Sequence, residues 1–588
     1  MKRIKLLILS SVLLLMSCSE DFLEVKPLGQ YSDAAVWTDA ALVNAYVNDI
    51  YLGQQYGFQL EMLASLSDIS MTKRAEVNPI LNSEISPSYV SILDPAHWLT
   101  SFRNITWNNL YDNIRSCNVF FERMAESELE GEEVDRLAGE VHYLRANFYY
   151  WLMSFYGGVP IVDRAYGPDD DFMIARNTFE ETVNFIVADL DAAAAALPLS
   201  GDKARATRGA ALALKSRVLL YAASDLFNSN ATWTDGYANP ELIGYTGGSQ
   251  TQRWQAAQDA AKAVIDLGVY NLYGGTSPAS PEEARENYIN LFLNNGNEED
   301  IMISFYDDIN DGDWQAPSPG RFYGPNGYHN WGNHTPTQQL VDSYEMIDGT
   351  EFSWNGPEAE NPYENRDPRF YASILYDGAD WRQRPDDVIA ADPEGIVQTG
   401  YFENADGSFT AGLDTRQSPI EDWNGTYTGY YLRKFIDPSI DHQYETQRLP
   451  WRQIRYAEVI LNYVEASLEL GQEAEAKTYL NMIRNRAGMP DVPADESGEA
   501  LMDRYRNERK VELAYEQHRY FDIRRWMIAP QVIENVEGIR IEHQYASDDI
   551  DYEIIQVQNR NWQNKSYLLP ILLDEMNRND LLIQNPGY

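Results

Sequence analysis

The stretch Glu508-Arg509-Lys510-Val511-Glu512-Leu513-Ala514-Tyr515-Glu516 decides the fold of the C-terminal part of this sequence. Its three glutamates recur every four residues, a spacing that places them on one face of a helix, and Arg519, Arg524 and Arg525 follow. Such interleaved charges predict a structural ion-pair network, not a catalytic acid and base. We expect the stretch to lie within one helix over 499–527.

Helical periodicity continues outward from this stretch in two blocks. The segments with that pattern, most of them ended by Gly or Pro, are 33–56, 101–124, 132–155, 178–197, 207–227 and 252–267, then 451–470, 473–487 and 499–527. Paired helices of this length resemble tetratricopeptide units, although a clean period of about 34 residues is absent. The layout predicts a mainly α-helical protein in which about four helix pairs stack into a superhelix.

The periodicity fails between Tyr270 and Pro450, where Gly, Pro, Asn, Asp and aromatic residues dominate. A structureless loop of that length is improbable in a compact protein, so we expect an ordered, loop-rich lobe packed on the helices. The predicted organisation is a helical region at 18–269, the lobe at 270–450, and a helical region at 451–588 that completes the superhelix.

The N-terminus carries the pattern of a lipoprotein signal peptide. A basic start is followed by an apolar core at 6–16, and Leu15-Met16-Ser17-Cys18 forms a lipoprotein processing box. An apolar run of about eleven residues is shorter than the roughly 20 that a membrane-spanning helix needs. We therefore expect residues 1–17 to be removed and Cys18 to be acylated. Cys117 is then the one remaining cysteine, which excludes an intramolecular disulfide.

The charge balance limits the partners of this protein. Asp and Glu number 90 against 46 Lys and Arg, which gives a net charge of −44. Nucleic acid and bare anionic lipid are bound chiefly through Lys and Arg, so neither is an expected partner. Solubility in a wet extracellular setting explains the charge without any ligand.

Aromatic residues make up 12% of the chain, and many tryptophans lie in segments that the pattern assigns to loops. A flat aromatic ring stacks on the apolar face of a sugar while polar neighbours bond its hydroxyls, although Tyr and Trp also serve ordinary cores and protein interfaces. The composition is thus compatible with carbohydrate binding.

Several separated strings resemble the SusD/RagB family of outer-membrane nutrient-binding lipoproteins. The start at Cys18 resembles the family's mature N-terminus, and the C-terminal stretch quoted above is among the most specific matches. Other matching strings are 107–111, 144–146, 156–160, 206–211, 336–349, 366–369 and 584–588. The resemblance implies a tetratricopeptide-like platform with a lobe, anchored in the outer membrane by lipid on Cys18 and facing the cell exterior.

The same resemblance implies binding without catalysis and without a cofactor. Family members act as the lid of a SusC-like TonB-dependent transporter, many capturing oligosaccharides and a minority capturing peptides. We therefore expect capture of an oligo- or polysaccharide for import. The alternatives are oligopeptide capture by the same lid mechanism, a surface glycoside hydrolase, and a tetratricopeptide scaffold for other proteins.

Two groups of residues are candidates for the ligand site. Asp68, Arg74 and Trp98 have placements similar to those of an acid, an arginine and a tryptophan in a family member's site. The alternative is that Asp68 caps a turn and Trp98 packs locally. The second group is Trp314, Tyr323 and Trp331, from a Pro- and Gly-rich segment whose position in family members often carries ligand contacts. Three further tryptophans are held in reserve: Trp354, Trp381 and Trp423.

Metal chemistry has little support in the sequence. The segment 307–312 is similar to a calcium loop. However, Ile309 occupies a position that requires an oxygen ligand, and Ser318 stands where the bidentate Glu of such a loop should be. The seven histidines include no His-Glu-x-x-His pattern and no Cys-His cluster, so no metal site is predicted.

The expected ligand is a neutral polysaccharide. The negative net charge disfavours polyanionic glycans such as alginate or pectin fragments, unless Arg74, Arg321 or a bound cation creates a local positive patch.

Overall fold

The computed structural model describes residues 33–229, 232–234, 236–306, 314 and 316–588. The expected signal peptide, Cys18 and the segment 307–312 lie outside these residues. No helix in the described ranges is long and apolar enough to cross a membrane.

Helices dominate the described part of the chain, which confirms the predicted mainly α-helical class. Those of seven or more residues are α1 Ala40–Gly53, α2 Trp107–Glu126, α3 Glu132–Tyr156, α4 Phe179–Ala196, α5 Arg208–Ala223, α6 Gln250–Ile265, α7 Pro281–Leu293, α8 Tyr456–Glu469, α9 Glu473–Arg486, α10 Gly498–Glu512 and α11 Arg519–Arg525. Shorter α-helices are Asp33–Val36, Asn78–Leu81, Pro319–Tyr323, Gln338–Asp342, Pro368–Ser373, Ala529–Val532 and Leu573–Arg578.

Strands are short and form small sheets. They are β1 Ser70–Thr72, β2 Asp300–Ser304, β3 His334–Pro336, β4 Ile374–Leu375, β5 Tyr401–Glu403, β6 Phe409–Ala411, β7 Tyr431–Leu432, β8 Trp451–Arg455, β9 Val536–His543 and β10 Ile550–Gln558. Antiparallel pairs join β1 to β3, β2 to β8 and β4 to β7. A fourth sheet has the order β10-β9-β5-β6.

The long helices pack mostly on their neighbours in sequence. Each of α2 to α5 packs on the next helix, α6 packs on α8, and α9 closes on α8. Side-chain caps explain where several of them begin: Thr178 accepts from the N–H of Glu181 and forms a capping box at α4, and Thr207 caps α5. One apolar cluster runs through this array and into the lobe.

Three expectations about helices are wrong in detail. The predicted helix 499–527 is divided into α10 and α11, because Tyr515 and Gln517 have positive φ angles of 64° and 70°, which a helix does not allow. Residues 451–455 form strand β8 before α8 begins. Helix α7 lies in the region predicted to be loop-rich, where Ser280 caps it and Pro281 occupies its first turn.

The quoted stretch 508–516 forms a buried ion-pair network. Glu512 bonds Arg455 at 2.7 Å and Arg369 at 3.0 Å, and it also pairs with Arg486. Glu508 bonds Arg369 at 2.6 Å, and Glu516 bonds Arg455 at 2.6 Å. The predicted structural role is confirmed, but the partners come from distant segments and not from neighbouring turns. These arginines hold the pKa of Glu512 well below its usual range in spite of its burial.

Candidate ligand-binding site

The site is assembled where β1 pairs with β3. The register places Thr72 opposite His334, so Lys73 and Arg74, which follow β1, lie beside the loop that precedes β3. Lys73 Nζ donates to the carbonyl oxygen of Trp331 at 2.6 Å, across 258 residues of sequence. This pairing fixes two of the predicted residues, Arg74 and Trp331, on the same side of the molecule.

Three predicted tryptophans form a continuous row. The ring centroids of Trp98 and Trp314 are 6.1 Å apart, and those of Trp314 and Trp331 are 6.3 Å apart. Trp98 is 53% exposed and Trp314 is 43% exposed, whereas Trp331 is half-buried against Phe322. Two large exposed rings that meet on the surface make this row a candidate for ligand contact.

The row continues past Lys73 to Trp423 and Tyr427. The Lys73 ammonium lies 6.0 Å from the ring centroid of Trp423, which is 68% exposed. The Arg416 guanidinium stacks on Tyr427 at 4.0 Å, and its Nη1 donates to the carbonyl oxygen of Trp423 at 3.1 Å. We call the rings of Trp98, Trp314, Trp331, Trp423 and Tyr427 the aromatic strip.

Close packing behind the strip holds its two halves together. Gly332, next to Trp331, has φ of +48°, and a Cβ there would lie 2.5 Å from the carbonyl oxygen of Asn424. Tyr431 is buried below, where its hydroxyl accepts from the N–H of Thr426 and lies 2.6 Å from Asn326 Oδ1. This packing holds the Trp331 and Trp423 segments close together.

Arg74 stands beside the first ring of the strip. Its guanidinium lies 5.9 Å from the centroid of Trp98, and its Nε lies 3.1 Å from Oε1 of the buried Glu61. Burial raises the pKa of Glu61 to about 8, although Arg74 opposes that shift. At neutral pH Glu61 is mostly protonated, so the positive charge of Arg74 is not cancelled.

Two of the predicted residues do not reach this surface. Asp68 is buried, and its carboxylate accepts two hydrogen bonds from Arg519, at 2.8 and 2.7 Å. Tyr323 is fully buried and donates to the carbonyl oxygen of Gln59 at 2.7 Å. Both side chains support the site from inside the fold, and we leave them out of the site proposed below.

Of the three tryptophans held in reserve, one lies on this surface and two do not. Trp423 belongs to the strip. Trp354 donates to Asp342 Oδ1 at 3.2 Å and packs against Phe352, and Trp381 is half-buried against Arg433. Lys73, Arg416 and Tyr427 were missed as candidates. The position of Lys73 next to Arg74 was a usable signal, whereas nothing in the sequence marks Arg416 or Tyr427.

The described ranges contain no group of three or more His, Cys, Asp or Glu side chains placed to hold a metal ion. Cys117 is a buried free thiol.

Comparison with known proteins agrees with this architecture. Residues 298–588 match the SusD family, and residues 21–220 match a family described as starch-binding and associating with the outer membrane. A solved SusD-like protein from Bacteroides fragilis shares 30% identity and superposes with a TM-score of 0.74, covering 95% of this chain and 99% of that one. The chain belongs to the SusD/RagB family.

More distant SusD-like proteins match over similar lengths. SusD-like protein P38 of Formosa agariphila is 24% identical over 571 residues, which cover 91% of this chain and 93% of that protein. A solved structure described as a laminarin-binding SusD-like protein shares 19% identity and the fold, with a TM-score of 0.59 over 93% of this chain and 99% of that one. SusD-like proteins are binding proteins, and their tetratricopeptide-like helical platform is the one seen here.

Proposed function

We propose that this SusD-like protein captures an oligo- or polysaccharide at the cell surface through the aromatic strip and delivers it to a SusC-like TonB-dependent transporter for import. In this proposal Cys18 carries the lipid that holds the protein on the outer face of the outer membrane. The protein binds its ligand and does not cleave it.

The observation that carries the proposal is the row of exposed indole rings that the fold brings together on one surface. Trp98, Trp314 and Trp423 expose large aromatic surfaces that the fold does not use for its own core. Stacking on the apolar face of a sugar requires flat, exposed rings held in position, with polar groups nearby for the hydroxyls. Lys73 and Arg74 supply such groups along the strip.

The test is affinity electrophoresis of the lipid-free protein in gels that contain single polysaccharides, with an assay for released reducing sugar on the same mixtures. Retardation in a gel without released sugar supports capture. Released sugar would establish the glycoside hydrolase alternative, and binding to peptides with no retardation in any gel would establish peptide capture.

Delivery to a transporter needs a separate experiment. The full-length lipoprotein is co-expressed with a candidate SusC-like transporter from the same organism, and the transporter is purified through an affinity tag. Stoichiometric co-purification supports the lid role, whereas glycan binding without any association would leave capture alone as the function.

A further inference from the structure

The cations along the aromatic strip suggest which kind of glycan it takes. Arg74 lies against Trp98, Lys73 against Trp423, and Arg416 against Tyr427. Each of these three rings is at least partly exposed, and each has a positive side chain beside it. A chain with a net charge of −44 thus places three cations on one surface.

Most other arginines near the core are committed to carboxylates. Buried guanidinium groups such as Arg369, Arg455 and Arg525 each bond two or more acidic side chains. Arg416 instead donates to two carbonyl oxygens, at 3.1 and 3.5 Å, and no ion pair joins it to a carboxylate of the described residues. Its guanidinium therefore stays beside Tyr427 without a carboxylate partner among the described residues.

Three carboxyl groups, those of Glu76, Glu421 and Asp422, border the strip and offset part of this charge. Glu421 bonds Asn424 and lies near Lys73, whose pKa it raises, while Asp422 is exposed on the next position. Glu61 is the partner of Arg74 and is mostly protonated at neutral pH, as described above. The mutual repulsion of the cations is visible in Lys73, because burial, Arg74 and Arg416 together lower its pKa to about 7.

Given the proposed role in glycan capture, on which this inference rests, we infer that the ligand is an anionic polysaccharide whose carboxylate or sulfate groups are bound by Arg74, Lys73 and Arg416 while its sugar rings stack on the strip. This proposal replaces the neutral glycan expected from net charge alone. From the sequence, Arg74 was already a residue that could create a positive patch for a polyanionic glycan. A guanidinium presents paired N–H donors that match either oxyanion. The acidic remainder of the surface repels such a ligand, so local cations are required for it to bind.

The first experiment compares polymers that differ in charge alone. Polygalacturonate is run against its methyl-esterified form, and carrageenan against chemically desulfated carrageenan, with laminarin and xylan as neutral polymers. We expect retardation by a uronate or a sulfated polymer and loss of that retardation with its uncharged counterpart. The two pairs distinguish a carboxylate ligand from a sulfate ligand.

Salt and pH supply independent readouts. Raising NaCl from about 0.05 M to about 0.5 M should weaken binding about tenfold, because salt screens up to three partly exposed charge contacts. Binding should also weaken as the pH rises through about 7 to 8, since Lys73 loses its positive charge and Glu61 gains a negative one over that range. His329, Glu76, Glu421 and Asp422 also border this region, and burial raises the pKa of Glu421 above its usual range.

Matched variants complete the test. Arg416→Gln should weaken binding of the anionic polymer about threefold, and Arg416→Glu should weaken it further, with unchanged melting temperatures. Arg164→Gln is the control, because Arg164 stacks on Tyr166 at 4.1 Å, as Arg416 stacks on Tyr427, but lies outside the strip.

Each failure has a distinct meaning. If the protein binds a neutral polymer, and neither salt nor Arg416→Glu changes that binding, the anionic ligand is ruled out while glycan capture stands. If the unmodified protein binds none of the polymers, glycan capture itself is ruled out.

Discussion

Removing one ring of the strip should weaken ligand binding by an amount set by the exposed area of that ring. A tryptophan side chain presents up to about 250 Å², and Trp98 and Trp423 are 53% and 68% exposed. A sugar that covers one face removes about half of the exposed area, roughly 65 to 85 Å², from water. At about 25 cal/mol per Å² this corresponds to about 1.5 to 2 kcal/mol.

Trp98→Ala and Trp423→Ala should therefore each raise the Kd for the bound polysaccharide about ten- to thirtyfold. Trp98 contacts Trp314, whereas Trp423 contacts Lys73, so the two rings share no partner. The losses in the double variant should therefore be nearly additive, about 300-fold in all. Isothermal titration with a size-fractionated oligosaccharide of the polymer identified by gel retardation measures these values. Additivity would also show that one ligand chain spans both ends of the strip.

Tyr545→Ala is the control for this series. Tyr545 is 64% exposed in the turn between β9 and β10, and it belongs to no part of the strip. If Trp98→Ala and Trp423→Ala change the Kd no more than Tyr545→Ala does, the strip is not the glycan site. A loss for Trp98 alone would instead restrict the ligand to the Trp98, Trp314 and Trp331 end.

Three further outcomes follow from the packing and charges. Gly332→Ala should lower the free energy of unfolding by about 1 to 3 kcal/mol in urea titrations and weaken glycan binding as well, because a Cβ there meets Asn424 and the φ angle is positive. Glu512→Ala should destabilise by about 3 to 5 kcal/mol, since it leaves buried arginines unpaired, whereas the exposed Glu499→Ala should stay within about 0.5 kcal/mol. Stability should fall as the pH drops below about 4.5, because the native pKa values of Glu508, Glu512 and Glu516 are lowered and their contribution is lost on protonation; a urea midpoint that is flat from pH 6 to about 3 would contradict this.

The mainly α-helical class could be predicted from the sequence because helices are determined largely by local patterns. Amphipathic spacing and Gly or Pro punctuation located α2 to α6, α8 and α9 closely, since these features act within a few turns of chain. The break between α10 and α11 depends on left-handed backbone at Tyr515 and Gln517. No local sequence pattern predicts a positive φ angle at a Tyr or a Gln.

The candidate site could be predicted only in part, for a similar reason. Tryptophans in loop-like segments are visible in the sequence, so Trp98, Trp314 and Trp331 were identifiable. Their grouping with Lys73 and Trp423 depends on the pairing of β1 with β3 and on the close approach at Gly332, both of which join segments hundreds of residues apart. The burial of Asp68 against Arg519 could not be read from the sequence, because the two residues lie 451 positions apart.

The buried ion-pair network has a consequence for how the chain reaches its folded state. Asp68 near the start receives its opposite charge from Arg519. Arg369 and Arg455 further along receive part of theirs from Glu508, Glu512 and Glu516, in addition to Asp367 and Glu299. Domains usually fold from the N-terminal end as the chain is made. Here the interior stays electrostatically incomplete until the final stretch has emerged, because unpaired charges are costly to bury. The last part of the polypeptide to be synthesised thus supplies partners for buried charges in much earlier segments.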